Sequence, residues 1–444
     1  MTLTYAALTQ AVANDSAFRR RRRLQPVGGP GDKLHPPTYP GEGKNNPPPR
    51  HAFERRRIGE REVWCVLIDS VQSQANRMEE ALLEAARAGR IPLPRLSVDF
   101  AAAGLNSIGE ITSLDAPHRV FDAILRDSLL DGKPFQKSPL GERLKQATSK
   151  DATAILEASP SALLFGVWNS TGEGGGLGAK FPRAVVSEII GIDVPVDGAA
   201  AGIPGINIRT VTISDTSQVH NAETLISRIA GTVPDSRTGE VDVRTSARRT
   251  GSRIDPLGVL RGVEVFKGDN GWDTTEKSAG KGAKKVRPSE INHGNIAPSV
   301  VALGVTCAYA EHSAVITLAG LRRLRFGGSP ERDLAGRALI AALGLVALTE
   351  QDVQGYALRS RCDLVCEGPA PLERVAFDGT VEAVTLSRDD ARALYEEAYA
   401  AAVRAGFALN DRPVVLQPQD KLVHIVRESM SRALNDEGGE SEAS

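Results

Sequence analysis

The stretch EVWCVLID, residues 62–69, constrains this chain more than any other. It is an apolar run of strand length, and SVQSQANRMEEALLEAARAG follows it without a break. In that second segment Val71, Ala75, Met78, Leu82 and Ala85 recur at helical spacing, and Gly89 ends the run. A strand that passes straight into an amphipathic helix demands a sheet for the strand and a sheet face for the helix. A helical bundle is excluded at once.

The rest of the chain adds strands and helices to that unit. PLPRLSVDF reads as a second strand. SLDAPHRVFDAILRDSLLDG reads as a helix with Asp115 as N-cap, and DATAILEASP as a short helix. SALLFGVWNS reads as a buried strand, WNSTGEGGGLGAKFPR as a glycine loop, and FPRAVVSEIIG as the helix after it. VVALGVTCAYAEHSAVITLAGLRRLRF reads as a hairpin turning at Ala310–His312. ERDLAGRALIAALGLVALTEQ is a buried helix, ALRSRCDLVCE a strand, and SRDDARALYEEAYAAAVRAG a helix whose Ser387 and Asp390 have capping-box spacing. Interleaved strands and helices with a hairpin among them predict an α+β fold, an antiparallel sheet with helices on one face.

Three boundaries follow from composition. Residues 1–60 read as a short helix and a basic Pro/Gly-rich arm, with RRRRR at 19–23 and twelve Lys/Arg against four acids between Arg19 and Arg61. Residues 61–430 form the core, irregular within 191–300, and 431–444 is an acidic tail expected to be disordered. KGDNGWDTTEKSAGKGAKKVRPSE, inside the irregular part, is polar enough to read as a mobile segment. Net charge is −1, so any case for nucleic acid rests on local clusters. Cys65, Cys307, Cys362 and Cys366 form no CxxC pair, which suits small buried residues in a reducing cytoplasm. The longest apolar run, ALIAALGLVAL at 338–348, is too short for a membrane span.

The glycine loop carries the sharpest chemical question. Gly174, Gly175, Gly176 and Gly178 let backbone N–H groups converge on an anion, with Lys180 and Arg183 behind them. A nucleotide P-loop fails, because Gly178 is followed by Ala179, Lys180 and Phe181 where Gly-Lys-Ser/Thr is required. What remains is a plain flexible loop or a grip on the phosphate of a polymer. Ser70, Gln72, Gln74, Asn76 and Arg77, at the start of the first helix, suit sugar and phosphate contacts as well as they suit ordinary capping. Arg248, Arg249 and Arg253, beside Ser, Thr and Gly, suit a phosphate backbone or a solvated strand edge, and so does RRLRF at 322–326. Catalytic patterns are thin. The histidines are scattered, HExxH and GxSxG are missing, and Asp115 and His118, within one turn, could act as an acid–base pair although an Asp there is more ordinarily a cap. The reading is a non-catalytic chain with no metal and no cofactor. At 5% aromatics a platform of many stacked rings is not expected.

Several stretches together resemble a known family. RLQPVGGPGDKLHPPTYP, HAFERRRI, VLIDSVQSQANRMEEALL, ITSLDAPHRVFDAILRDSL, LLFGVWNSTGEGGGLGAKFPRAVVSEIIG, SRIDPLG, HGNIAPS and LRSRCDLV, in that order, resemble the CRISPR-associated RAMP protein of type I-G (formerly I-U) systems. That protein is the "Cas-seven" backbone subunit of a crRNA-guided, Cascade-like effector complex in antiviral defence. The resemblance implies an RRM-like, ferredoxin-type core with large insertions, shaped like a hand, with a thumb-like insertion placed here within 191–300. It implies homo-oligomeric copies polymerised along one crRNA, other subunits of the effector complex as partners, and target DNA paired through the guide. On this reading the guide passes Ser70, Gln72, Gln74, Asn76 and Arg77 on one side and Gly174–Gly178, Lys180 and Arg183 on the other, with Arg248, Arg249 and Arg253 at the thumb. Two alternatives remain: a backbone subunit that also cleaves target RNA with a metal at Asp115 or Asp255, and an unrelated enzyme holding a phosphorylated small molecule at the glycine loop.

Overall fold

The computed structural model describes residues 3–40, 50–169, 178–195, 264–287, 291 and 304–436. The chain divides into two compact units, residues 1–196 with 304–433, and residues 197–303 with 434–444.

The first unit is built on a nine-stranded antiparallel sheet. Its strands are β1 (Ala17–Pro26), β2 (Phe53–Ile58), β3 (Arg61–Asp69), β4 (Val185–Ile192), β5 (Tyr309–Thr317), β6 (Tyr356–Arg359), β7 (Cys362–Cys366), β8 (Leu372–Val375) and β9 (Val381–Val384). Across the sheet the order is β6–β7–β1–β5–β4–β3–β2, with β8 on β1 and β9 on β8. Helices α1 (Tyr5–Asn14), α2 (Val71–Arg87), α3 (Pro330–Gln354) and α4 (Arg388–Arg404) accompany it. The strand-to-helix passage from β3 into α2 is as the sequence predicts, with Ser70 as N-cap. The α+β class holds.

Helix α3 shows how sequence sets position. Ser329 caps it through the Arg332 N–H, Pro330 opens it, and Glu331 and Asp333 complement the positive end of the helix dipole. Nearly every residue from Ala335 to Gln351 is buried, so the helix lies inside the unit, against α2, α4 and α1. It approaches the sheet closely at Gly344, where a Cβ would sit 2.9 Å from Ile316 Cδ1 and 3.1 Å from Leu164 Cδ1. Ser387 and Asp390 close the capping box of α4. A second sheet, of five strands, joins Leu96–Asp99 in parallel to Val414–Pro418, which ties the chain's end to its first third.

Five sequence expectations are corrected. The arginine run is no arm: it is β1, at the centre of the sheet, paired over Ala17–Leu24 with β5. Alternation explains it, since Phe18, Arg20 and Leu24 point inward while Arg21 and Arg23 are exposed. SALLFGVWNS is not a strand but a helix, Pro160–Phe165, followed by two strand residues, because a short buried run carries no period of its own. The segment after the glycine loop is not a helix but β4, as its Val185, Val186, Ile189 and Ile190 prefer. No turn falls at Ala310–His312, where β5 runs straight through. Asp115 caps no helix. It accepts from the Thr112 N–H and hydroxyl, and Asp122 caps the short helix Ala123–Arg126.

In the second unit the described part is a small antiparallel sheet, ordered Gly271–Asp273, Val265–Gly268, Lys284–Val286, with a one-turn helix at Glu276–Ala279. The sequence reading of this segment as mobile is thereby corrected. The sharp pairing at Gly268 is possible because a Cβ there would lie 2.6 Å from the Ala279 carbonyl oxygen.

Candidate nucleic-acid interface

The glycine loop joins two short paired strands. Val167 faces Phe181 and Trp168 faces Lys180 in antiparallel register. The loop is therefore carried by a hairpin, and no helix N-terminus stands behind it to help hold an anion. Its base requires glycine at 178, where a Cβ would lie 1.8 Å from the Asn169 carbonyl oxygen. Gly174, Gly175 and Gly176 lie outside the described residues.

A buried ion pair fixes where this hairpin starts. Arg119 donates through Nε and Nη2 to both oxygens of Glu79 on α2, at 2.7 and 2.8 Å, and through Nη1 to the Gly166 carbonyl at 2.8 Å. Its guanidinium also lies over the Phe165 ring, 5.7 Å from the centroid. Arg119 adopts φ 50°, a left-handed conformation that a non-glycine residue holds only under constraint, and these contacts supply the constraint. Burial pushes the Glu79 carboxyl up to about 7, against the pull of Arg119.

Beside the hairpin opens a cleft of about 440 Å³ lined by His118, Gly166, Trp168, Lys180, Phe181 and Arg183 among others. Trp168 is 42% exposed, and the Lys180 ammonium stands 4.3 Å from its ring centroid. Neither Lys180 nor Arg183 forms an ion pair with another described residue. Burial and the neighbouring Arg119 lower the pKa of Arg183, against the weaker pull of the Glu79 carboxylate that Arg119 already engages. Two unneutralised cations beside an exposed indole can take a phosphate and an aromatic base together. Lys180, Arg183 and the hairpin end of the glycine loop are thus brought together, as the sequence suggested. In the sequence Trp168 is one of the few aromatics near a basic loop and could equally be core, and His118 is a member that sequence reasoning did not assign to this site. The signal was present: VW and KF flank the glycines symmetrically, which is the pattern of a hairpin.

The other predicted positions are divided. Gln72 and Asn76, four apart on α2, are exposed on one helix face. Ser70 is engaged as the α2 cap. Gln74 is fully buried, donating to Asp69 Oδ2 at 2.7 Å and accepting from Ser187 and Gln351. Arg77 pairs with Asp69 at 3.0 Å and donates to the Leu358 carbonyl, so it is a strut of the interior. Arg248, Arg249, Arg253 and Asp255 lie outside the described residues. Of the RRLRF cluster, Arg322 donates to the Val12 and Asp15 carbonyls and Arg325 pairs with Asp333.

The same interior holds a serine–histidine pair. Ser187 Oγ lies 2.7 Å from His312 Nε2, His312 Nδ1 lies 3.1 Å from the Tyr356 hydroxyl, and that hydroxyl donates to Asp352 at 2.8 Å. Ser187 and His312 are 3% and 0% exposed, so no substrate reaches the serine. Burial lowers the His312 pKa well below the usual range and keeps the ring neutral. No group of His, Cys, Asp and Glu suited to a metal occurs among the described residues, and none of their helices is long and apolar enough to cross a membrane.

Residues 18–196 match the family model described as CRISPR-associated protein GSU0053. The match covers less than half of the chain and supports a CRISPR-associated role, and the matched stretch contains β2 to β4, nearly all of β1, α2, Arg119 and the whole hairpin cleft. No curated protein matches the chain.

Proposed function

We propose that this CRISPR-associated chain is a non-catalytic backbone subunit of a type I effector complex, of which several copies polymerise along one crRNA and present it to target DNA. The observation that carries the reading is the cleft of Trp168, Lys180 and Arg183, whose cations are unneutralised by described residues and which lies inside the family match. Each copy needs to neutralise only a few phosphates, which suits a chain of net charge −1. Recognition through backbone and shape, without base reading, suits a protein whose specificity is delegated to a guide.

The succession β3–α2–β4–β5–α3–β6 supports an RRM-like core for this subunit, with one departure in strand order. β1, the arginine strand, stands beside β5, and the strand that feeds α2 lies toward the edge. Target-RNA cleavage at Asp115 finds no support, since its carboxylate is held by Thr112.

The test is purification of the protein expressed with and without a matching CRISPR array. The expected result is a large particle containing RNA of one discrete size class. An RNA-free monomer in both preparations, with tight binding of a nucleotide or sugar phosphate, would replace this reading with the small-molecule alternative.

A further inference from the structure

Three costs meet at Arg119. It is buried, it is paired with a buried carboxylate, and it holds φ 50° without being glycine. An apolar pair of similar size is often as stabilising as a buried Arg–Glu pair, and a left-handed backbone at a non-glycine residue subtracts further. Stability alone therefore does not account for the arrangement. Each of the three guanidinium nitrogens is already engaged, Nε and Nη2 by Glu79 and Nη1 by the Gly166 carbonyl. Arg119 is thus placed to act through a neighbour and not on a ligand.

That neighbour is Arg183. Gly166 packs against it so tightly that a Cβ at 166 would sit 2.8 Å from Arg183 Cγ, 3.0 Å from the Arg183 backbone nitrogen and 3.1 Å from the Phe181 carbonyl oxygen. The next residue, Ala184, donates its N–H to the Leu164 carbonyl at 2.9 Å, which ties the same two segments together. The stem of Arg183 is set by Gly166, Gly166 by Arg119, and Arg119 by Glu79 on α2. We propose that Arg119 is a positioning residue: held by Glu79, it fixes Gly166 so that Arg183 stands ready for a phosphate oxygen in the cleft it shares with Lys180 and Trp168. The proposal rests on the reading of this cleft as an anion site. It goes beyond that reading by placing control of the site in a buried pair on another element.

The test uses the full chain carrying Trp64→Phe and Trp272→Phe, which leaves Trp168 as the sole tryptophan. Its fluorescence is quenched with iodide and with acrylamide. The ratio of the two constants reports the cations beside the ring, apart from how open the cleft is. Arg183→Gln sets the value expected when one cation is lost. Glu79→Leu with Arg119→Met removes the buried pair at no change in net charge, a replacement that folds commonly tolerate. In that double variant the iodide preference should fall to the Arg183→Gln value. Affinity for oligouridylate should fall about tenfold, the worth of one charge-assisted contact. A folded double variant that keeps the wild-type iodide preference overturns the proposal. If the double variant does not fold, Arg119→Lys, which keeps the charge but cannot meet Glu79 and Gly166 together, is read in the same way. Loss of iodide preference in a protein whose wild type binds no oligouridylate would uphold the positioning role and overturn the RNA reading.

Discussion

Two basic regions of this protein invite the same expectation and fulfil opposite roles. β1 carries five consecutive arginines, and the structure pairs four of them with acids, Arg19 with Glu373, Arg20 and Arg22 with Asp352, and Arg21 with Glu311, while Arg23 lies over the Tyr309 ring at 4.1 Å much as Lys180 lies over Trp168. The hairpin carries Lys180 and Arg183 and pairs neither with a described acid. The denser cluster is structural and the sparser one is available. Counting cations along a sequence therefore misplaces a polyanion site; what matters is which cations the fold leaves without a counter-charge.

The largest expected effect breaks the sealed side of this comparison. Asp352→Ala strands two buried guanidiniums and should cost about 3–5 kcal/mol in urea unfolding. A loss under 1 kcal/mol would mean that β1 is not held by its ion pairs. On the open side, Lys180→Glu with Arg183→Glu should leave stability within about 0.5 kcal/mol and abolish guide retention in the co-expressed particle. Normal RNA content in that double variant would make the hairpin merely structural.

Trp168→Ala sharpens the contrast further. Affinity for a bare single-stranded RNA should fall by about 1–3 kcal/mol if a base stacks there, with the salt slope unchanged. Lys180→Ala should do the converse, reducing the slope by about 0.7. The smallest effect concerns His312. Its depressed pKa means that the unfolded chain binds a proton below about pH 6.5 that the folded chain does not, so this residue lowers stability as pH falls through that point. Glu79, raised to about 7, works in the opposite sense between its ordinary value and 7. The measurement is therefore the difference between wild type and His312→Gln: the wild type should lose more stability between pH 7 and pH 5.5.

How much of this was legible in the sequence varies with the physics of each segment. β3 with α2, the buried α3 and the capping box of α4 could be read because local period and caps agree with the tertiary fold. The arginine strand could not, because the acids that neutralise it come from residues 311, 352 and 373, far along the chain. Pro160–Phe165 and β4 were exchanged in type because each is too short or too uniformly apolar to show a period. At the site, Lys180 and Arg183 were named from their place behind the glycines, whereas Gln74 and Arg77 were misjudged for want of one fact, the buried carboxylate of Asp69.

The position of β1 also sets an order of events during synthesis. Ala17 pairs with Thr317, and Leu24 with Cys366, so the central strand leaves the ribosome long before its neighbours exist. At 5–20 residues per second that interval is about 15–60 s. Throughout it the five arginines have neither sheet partners nor the acids at 311, 352 and 373. A strand of like charges repels its own kind and resists pairing edge to edge with another nascent chain. The arginines that the finished protein ties into its sheet are thus the ones that keep it soluble while it is unfinished.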